Sequence, residues 1–590
     1  MINILGINAF HGDAAAALVQ DGQLVAAVEE ERFTRIKHWA GFPTESIRYC
    51  LEVAGIKAQD LDHVGISYNP KANLNRKLRF VLKKWPSLQS LLDRRNKQNK
   101  SRNLKQLLAE AGGCLEQDIK AQLHTLEHHT THFASSFFIS PFEEAAILSI
   151  DGMGDFVSTL LGAGQGKHLQ YFSRTYFPHS LGYLYNAITL YLGFPNYGDE
   201  YKVMGLAPYG QPIYLDRFRR LIFPKDDGFE LNLDYFNHHQ RGIAMNWERG
   251  APQVEPFHSP ELAKLLGPAR MPKAQVTEHH RNIAASLQKI SEEIIFHLLH
   301  QLYEKFPSQN LCLVGGVAMN SVANGKITQQ TPFQNIFVPC GAADNGTCFG
   351  AAFYLWNQVL KQERHFVLDH GYWGSSFSDA DYQSALESHH LQSKTFDTQA
   401  DLLEHVVDFL CQGQVVGWFQ GRMEFGARAL GNRSLLADPR RGDMRDIINL
   451  KIKFREVFRP FAPSILEEQV EEYFAVNEPT PFMEKVFPIH SHQQLRIPAV
   501  THVDGTGRLQ TVSRKTNPLY WELINRFYKR TGIPVLLNTS LNENEPIVRT
   551  PEQAIKCFLR TEMDALVLGS YFVDRSMIIS EQDISNRTKS

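Results

Sequence analysis

Two stretches far apart in this chain carry one pattern, and that recurrence restricts the fold more than any other feature. The run ILGINAFHGDAAAALVQDGQLVAAVEEER (Ile4 to Arg32) reads as an apolar strand, a Gly-containing turn, a second apolar strand, a tight Asp21-Gly22 turn and a third strand. The run EEAAILSIDGMGD (Glu143 to Asp155) repeats the opening, a short buried strand entering an Asp-Gly turn with β-type sequence beyond it. Each unit leaves a sheet face to be covered, so the repetition predicts an internally duplicated α/β domain.

At 590 residues the chain exceeds what one core serves, and a second domain is expected. The stretch HFVLDHGYWGSSFSDADYQ (His365 to Gln383) is rich in Gly, Ser and Asp and reads as the connection, giving domains 1–364 and 365–590. Beyond it GQVVGWFQG, IPVLLNTS and DALVLGSY are short apolar strands ending in polar or Gly residues, a second α/β domain. In the first domain Ile283, Leu287, Ile290, Ile294 and Leu298 predict a helix over Thr277 to Phe306, leading into LCLVGGVAMNSVAN. There a buried strand, Gly315-Gly316 and a helix start form a backbone suited to approaching a nucleotide.

The segment 71–105 holds twelve Lys or Arg against one acid, Asp93. It reads as a solvated helical insertion or as a clamp for an anionic acceptor or partner, and binding that weakens steeply with salt would favour the clamp. Over the whole chain the net charge is only -2, which gives no basic field for holding nucleic acid. Met1 to Phe10 lacks the basic start of a signal peptide, and no run approaches the roughly 18 apolar residues of a spanning helix. No membrane partner and a cytoplasmic location are expected. The seven cysteines are scattered without a CxxC pair, so buried thiols are expected rather than disulfides or a thiolate zinc site.

In LEHHTTHFASSFF, His128 and His132 stand four apart and share a face if helical. In a chain with 24 histidines that spacing alone fits coincidence as well as ligation. Asp151 before Gly152, and Asp344 after NIFVPC, could be turn formers, caps or carboxylate ligands. If all four converge, the mixed N/O set suits iron, manganese or zinc better than calcium. The cluster GRMEFGARALGNRSLLADPRRGDMRDIINLKIKFREVFRPFAPSIL sets arginines between residues that call for burial. Phosphate is the natural anion for them, internal pairing with Glu424, Asp438, Asp443 and Glu456 the alternative. NTSLNENEPIV offers hydroxyl and amide donors, and HVDGTGRLQTV places Arg508 in a Gly-rich turn.

These segments, with FPHSLGYLYNAITLYLGFPNYGDEYKVMGLAPYG, resemble the nodulation and antibiotic O-carbamoyltransferase family over nearly the whole chain and in its motif order. The resemblance implies an N-terminal domain of the actin/sugar-kinase type and a C-terminal domain similar to threonylcarbamoyl-AMP synthases, YrdC-like. It implies that the C-terminal domain makes carbamoyl-AMP from ATP and carbamoyl phosphate, and that the N-terminal domain passes the carbamoyl group to a hydroxylated acceptor such as a sugar, antibiotic or glycan. Iron, Fe2+ or a similar divalent metal, would be held by His128, His132, Asp151 and Asp344, and Mg2+ would accompany ATP. Lys453 and Arg455 in IKFRE look like a Lys-x-Arg signature, two apart and facing one way if extended, gripping one polyphosphate. Lys202, Gly315, Gly316, Asn320, Arg428, Asn432, Arg433, Arg508, Asn538 and Ser540 fall in motifs that would contact substrate or ATP. Many members read Tyr-His-Asp-Ser where this chain has His11-Gly12-Asp13-Ala14, and His11 or Asp13 would be the general base. A homodimer is open to such a chain.

Three rivals differ in what they require. Carbamoyl transfer to cysteine in hydrogenase maturation uses CxxC zinc motifs that are absent here. A threonylcarbamoyl transferase acting on tRNA would not need the C-terminal motifs. A regulatory module binding nucleotide or carbamoyl phosphate would release no pyrophosphate.

Overall fold

The computed structural model describes residues 1–84, 103–243, 245–246, 250 and 252–578. The chain separates into two compact units, Met1–Leu368 and Asp369–Ser590, against the boundary expected at 364/365.

The first unit contains two five-stranded sheets. In one, β1 (Asn3–Asn8), β2 (Ala15–Gln20), β3 (Gln23–Glu29), β4 (His63–Ile66) and β5 (Gln122–Thr125) lie in the order β3-β2-β1-β4-β5. The strands β1, β2 and β3 pair antiparallel, whereas β4 and β5 are added parallel. The other holds β6 (Glu144–Gly154), β7 (Val157–Gln165), β8 (His168–Tyr176), β9 (Asn310–Val314) and β10 (Asn335–Phe337), ordered β8-β7-β6-β9-β10 with the same directions. The two sheets therefore repeat one topology, as the two strand-hairpin signals predict. Asp21 and Gly22 both take positive φ, 45° and 79°, which matches the twist of a two-residue hairpin.

Leu5, Ile7, Leu18, Ile47, Leu51, Val64, Ile66 and Leu108 form a buried cluster on the first sheet. The predicted long helix spans Glu278–Lys305 and packs across β6 and β7. The helix Thr347–Tyr354 lies against β1 and against the helix His128–Phe137. Of the basic segment, helices Leu74–Lys84 and Leu104–Gly112 are seen, while 85–102 lie outside the described residues.

The second unit is built on an eight-stranded mixed sheet. Its order is Lys485–Pro488, Thr506–Val512, Ala462–Leu466, Val535–Ser540, Arg433–Ala437, Val416–Phe419, Ala565–Leu568 and Tyr571–Asp574. Trp418, Leu436, Ile465, Leu536, Phe527 and Val567 fill its core. Two local expectations are corrected. Arg508 lies in the strand Thr506–Val512 and not in a turn, because the ladder with Val486 continues through it. Asn538 and Ser540 are the end of the strand Val535–Ser540 and do not follow it.

Candidate functional site

The His128–Phe137 helix is started by Glu127, whose carboxylate accepts the Thr130 N–H at 2.8 Å. That cap fixes the register that aims both imidazoles one way. Asp151 lies on β6, where pairing with β7 is irregular between Ile150 and Gly154, and this break frees its side chain from the regular ladder. Asp344 opens the short turn Asp344–Gly346 before the helix Thr347–Tyr354.

These elements bring His128, His132, Asp151 and Asp344 together, one ligand atom of each lying within 4.8 Å of the others. His128 Nε2 stands 3.2 Å from Asp151 Oδ2 and 3.5 Å from Asp344 Oδ1, and His132 Nε2 stands 3.8 and 3.6 Å from the same oxygens. Second contacts orient the donors. His128 Nδ1 faces the Ser67 carbonyl at 3.4 Å, and Asp151 Oδ1 accepts the Gly316 N–H at 3.0 Å.

His132 is fully buried with neither ring nitrogen hydrogen-bonded, and Asp344 Oδ1 is also without a partner among the described residues. Buried polar atoms without hydrogen bonds that converge on one point fit a cation. The electrostatics agree. Burial opposes charge on His128, yet Asp151 and Asp344 hold it well above its ordinary value. Burial and the neighbouring Asp344 would raise Asp151, but His128 and His132 outweigh them and leave it below the usual carboxylate range. Burial likewise opposes Asp344, which His11 and His128 hold well below that range.

His11 joins the cluster, its Nδ1 3.1 Å from Asp344 Oδ2 and its Nε2 buried without a partner. Asn8 fixes the loop by donating to the Gly12 and Asp13 carbonyls at 3.1 and 2.8 Å. Asp13 is engaged elsewhere: its Oδ1 meets His38 Nδ1 at 2.8 Å. The sequence reading missed His38, although it lies in the quoted EEERFTRIKH run. Burial opposes its charge, but Asp13 and then Glu31 push it up to about 9. Because an unfolded histidine titrates near 6.5, the pair stabilises the fold fully below about pH 6.5 and loses that contribution as pH rises through about 9. The gap in melting temperature between the unaltered chain and His38→Asn should shrink over that window. A constant gap would remove the ion pair.

Other expected contacts of the first unit are occupied within the protein. Lys202 pairs with Asp199 at 2.9 Å. Asn320 exchanges hydrogen bonds with Gln288 at 3.0 Å and caps Ala323, and the Gly316 N–H serves Asp151.

In the second unit the arginine-rich segments divide. Arg433, expected among phosphate contacts, is fully buried and donates to the Gln420, Asn432, Ser375 and Gly421 carbonyls at 2.5 to 3.2 Å, over the Phe419 ring. It pins the loop that carries Arg422 and Glu424. Arg433→Ala strands those carbonyls and should cost roughly 3 kcal/mol or more in a urea titration; a loss under about 1 kcal/mol would contradict this role. Asn432 is spent on the Arg422 carbonyl and on Asn517, and Asn538 on Ser464 and Gln510. Ser540 donates to Asn542 at 2.8 Å.

The extended segment expected for Lys453-x-Arg455 is not formed. Lys453 ends the helical turn Ile448–Ile452, and Phe454 has φ 44°, so the two side chains are not on an extended segment. Lys453 is buried, its Nζ donating to the Asn542 carbonyl at 2.8 Å and to Asn542 Oδ1 at 2.6 Å. Arg455 is held by Asn449 at 2.7 Å and lies over Phe461.

Arg455 instead belongs to a group of four cations. Burial, then Arg428, Arg455 and Arg459, depress Arg508 well below its ordinary value. The charged neighbours that shift it are all cations, and its Nε is buried without a hydrogen-bond partner. Within the group Arg459 pairs with Glu456 at 3.7 Å, and a concentration of guanidiniums of this kind suits a polyanion. Beside it His502, pushed down to about 4 by burial and by Arg508 and Arg445 against Asp504, stays neutral. Arg459 was visible in the sequence only as one arginine in the dense cluster; its charge acting on Arg508 singles it out.

Residues 3–353 match the family model described as "Carbamoyltransferase N-terminus", and 407–575 match "Carbamoyltransferase C-terminus". The chain is 42% identical to "Uncharacterized protein sll1178" of Synechocystis, covering 98% of this chain and 97% of that protein. It is 41% identical to "Nodulation protein NolNO" of Sinorhizobium fredii, covering 96% and 80%. Among solved structures it is similar to the (R)-2-hydroxyglutaryl-CoA dehydratase component A of Acidaminococcus fermentans, at 12% identity and TM-score 0.33, covering 60% and 97%.

Proposed function

Because the chain belongs to the carbamoyltransferase family and is a carbamoyltransferase, we propose that it works in two ATP-dependent steps, one in each unit. In the second unit water cleaves carbamoyl phosphate to carbamate and inorganic phosphate, and the carbamate oxygen attacks the α-phosphorus of ATP to give carbamoyl-AMP with pyrophosphate as leaving group. In the first unit the carbamoyl group passes to a hydroxyl of a sugar, antibiotic or glycan acceptor. The observation that carries this reading is the pair of unlike centres, a four-ligand N/O cluster in one unit and a four-arginine cluster in the other.

The duplicated sheets support an actin/sugar-kinase type of fold for the first unit. The second we read as YrdC-like. There Arg428, Arg455, Arg459 and Arg508 screen the repulsion between ATP and carbamoyl phosphate, so that the carbamate oxygen can approach the α-phosphorus. Mg2+ would arrive with ATP.

His128, His132, Asp151 and Asp344 would hold an iron-class divalent ion, which supplies Lewis acidity toward a carbonyl oxygen. His11 takes the proton of the acceptor hydroxyl at its open Nε2, while Asp344 orients the ring through Nδ1. Asp13, held by His38, is left a positioning role. His128, His132 and Asp151 are buried, which would limit access of water to a labile donor. All seven cysteines are free thiols, which fits a reducing compartment where ATP is available, and no described helix is long and apolar enough to cross a membrane.

The test is to supply ATP and carbamoyl phosphate and measure pyrophosphate. A panel of alcohols is then screened by mass spectrometry for the gain of one carbamoyl group. Carbamoyl-phosphate-dependent pyrophosphate release is the expected result; its absence would return the chain to one-step transfer or to a regulatory role.

A further inference from the structure

The run FPNYGDEYKVMG places Tyr197 in the loop between helices Leu181–Tyr191 and Glu200–Leu206, a position to which the scheme above gives no task. The loop is tightly held. Asp199 Oδ2 accepts from the backbone and side chain of Asn196 at 3.2 Å, Lys202 pairs with Asp199 at 2.9 Å, and Asn186 donates to Glu200 at 2.6 Å.

From this rigid loop the tyrosine reaches the rim of the ligand cluster. Gly12, between His11 and Asp13, lies directly under its hydroxyl: a Cβ there would stand 2.6 Å from the Tyr197 oxygen, so the close approach requires glycine. The ring meets His38 edge-on, with centroids 5.3 Å apart at 70°. On the other side a Cβ on Gly198 would fall 2.3 Å from His38 Nε2. Two glycines thus clear the space in which Tyr197 and His38 pack, and His38 is itself fixed by Asp13 and by the Glu31 carboxylate at its N–H, 2.8 Å away.

Among the described residues the Tyr197 hydroxyl makes no hydrogen bond, whereas the polar groups around it do. Tyr197 is partly exposed, so its hydroxyl is open to a group that arrives with substrate. Its protonation state agrees. Burial, then Asp344, Asp13 and Asp151, hold it well above the ordinary phenol value, so it donates a proton in a hydrogen bond and does not act as base.

Resting on the two-step reading, we propose that Tyr197 is a catalytic residue of the transfer step, donating a hydrogen bond to the carbonyl oxygen of the carbamoyl group as the acceptor attacks. In that step a bond forms between the acceptor oxygen and the carbamoyl carbon, and the bond from that carbon to the phosphate oxygen of AMP breaks, its electron pair leaving with AMP. The acceptor proton goes to His11. The carbonyl oxygen gains negative charge and returns it, and Tyr197 keeps its proton throughout. Phosphate enters already charged, so a neutral donor gains most at the atom where charge develops.

The test uses the full chain with carbamoyl adenylate as donor and N-acetylglucosamine, or water, as trial nucleophile, reading AMP release. Tyr197→Phe should lower kcat about 100-fold, the scale of one lost donor to a developing oxyanion, with metal content and pyrophosphate release unchanged. Replacement of Tyr197 by monofluorotyrosine, a stronger donor of nearly the same shape, should change the rate in step with phenol acidity, which a packing role would not do. AMP release within threefold of the unaltered chain for Tyr197→Phe, or no response to fluorination, overturns the proposal. A lower melting temperature for Tyr197→Phe leaves the fluorotyrosine result to decide. Absence of pyrophosphate release from the unaltered chain would defeat the two-step reading separately, since that step does not involve position 197.

Discussion

His132→Ala should leave the first unit without bound metal and reduce carbamoyl transfer by about 100-fold or more, while pyrophosphate release continues at the original rate. His132 is fully buried, and neither nitrogen makes a hydrogen bond, so the fold loses little hydrogen bonding with it. What it loses is one of four donors, leaving His128, Asp151 and Asp344 to hold the ion. Metal analysis of the purified variant, alongside separate assays of the two half-reactions, checks this. Full transfer by a metal-free His132→Ala chain would dismiss the cluster as the transfer centre. Loss of pyrophosphate release with transfer would dismiss the division of labour between units.

Arg508→Leu should have the opposite signature. Pyrophosphate release should fall by at least ~2 kcal/mol in activation free energy, about thirtyfold, with metal content unaltered. The neighbours that depress Arg508 are three further arginines, so removing one guanidinium relieves repulsion in the ligand-free protein. The variant should therefore melt at a higher temperature without ATP than the unaltered chain does, and gain less when ATP is added. Preformed carbamoyl adenylate should restore carbamoylation. A variant that melts lower and keeps its pyrophosphate release would show that the cluster is balanced internally and holds no polyphosphate.

Much of this site can be read from the order of residues alone. The pair His128 and His132 lies on one helical turn, where spacing fixes the face, and the duplicated strand-hairpin runs announce two sheets of one topology because alternation and Asp-Gly turns are local signals. The strands Val416–Phe419, Val535–Ser540 and Ala565–Leu568 were equally legible as apolar runs. What spacing cannot supply is which direction a side chain takes once the chain leaves regular structure.

Lys453 and Arg455 show this. Their separation by two suggests one face of an extended segment, but the helical turn before Lys453 and the positive φ of Phe454 send the lysine to Asn542 and the arginine to the Arg508 cluster. Arg433 and Arg508 look alike in sequence; one is hydrogen-bonded to four carbonyls and the other has three arginines for charged neighbours, a difference made by loops and strands distant in the chain. Tyr197 and His38 likewise meet only because Gly12 and Gly198 let two loops approach. Local pattern determined the elements, their periodicity and the residue types available for chemistry. Tertiary packing decided which charges are paired and which are left open, because burial and the balance of nearby charges are properties of the assembled neighbourhood and not of any segment within it.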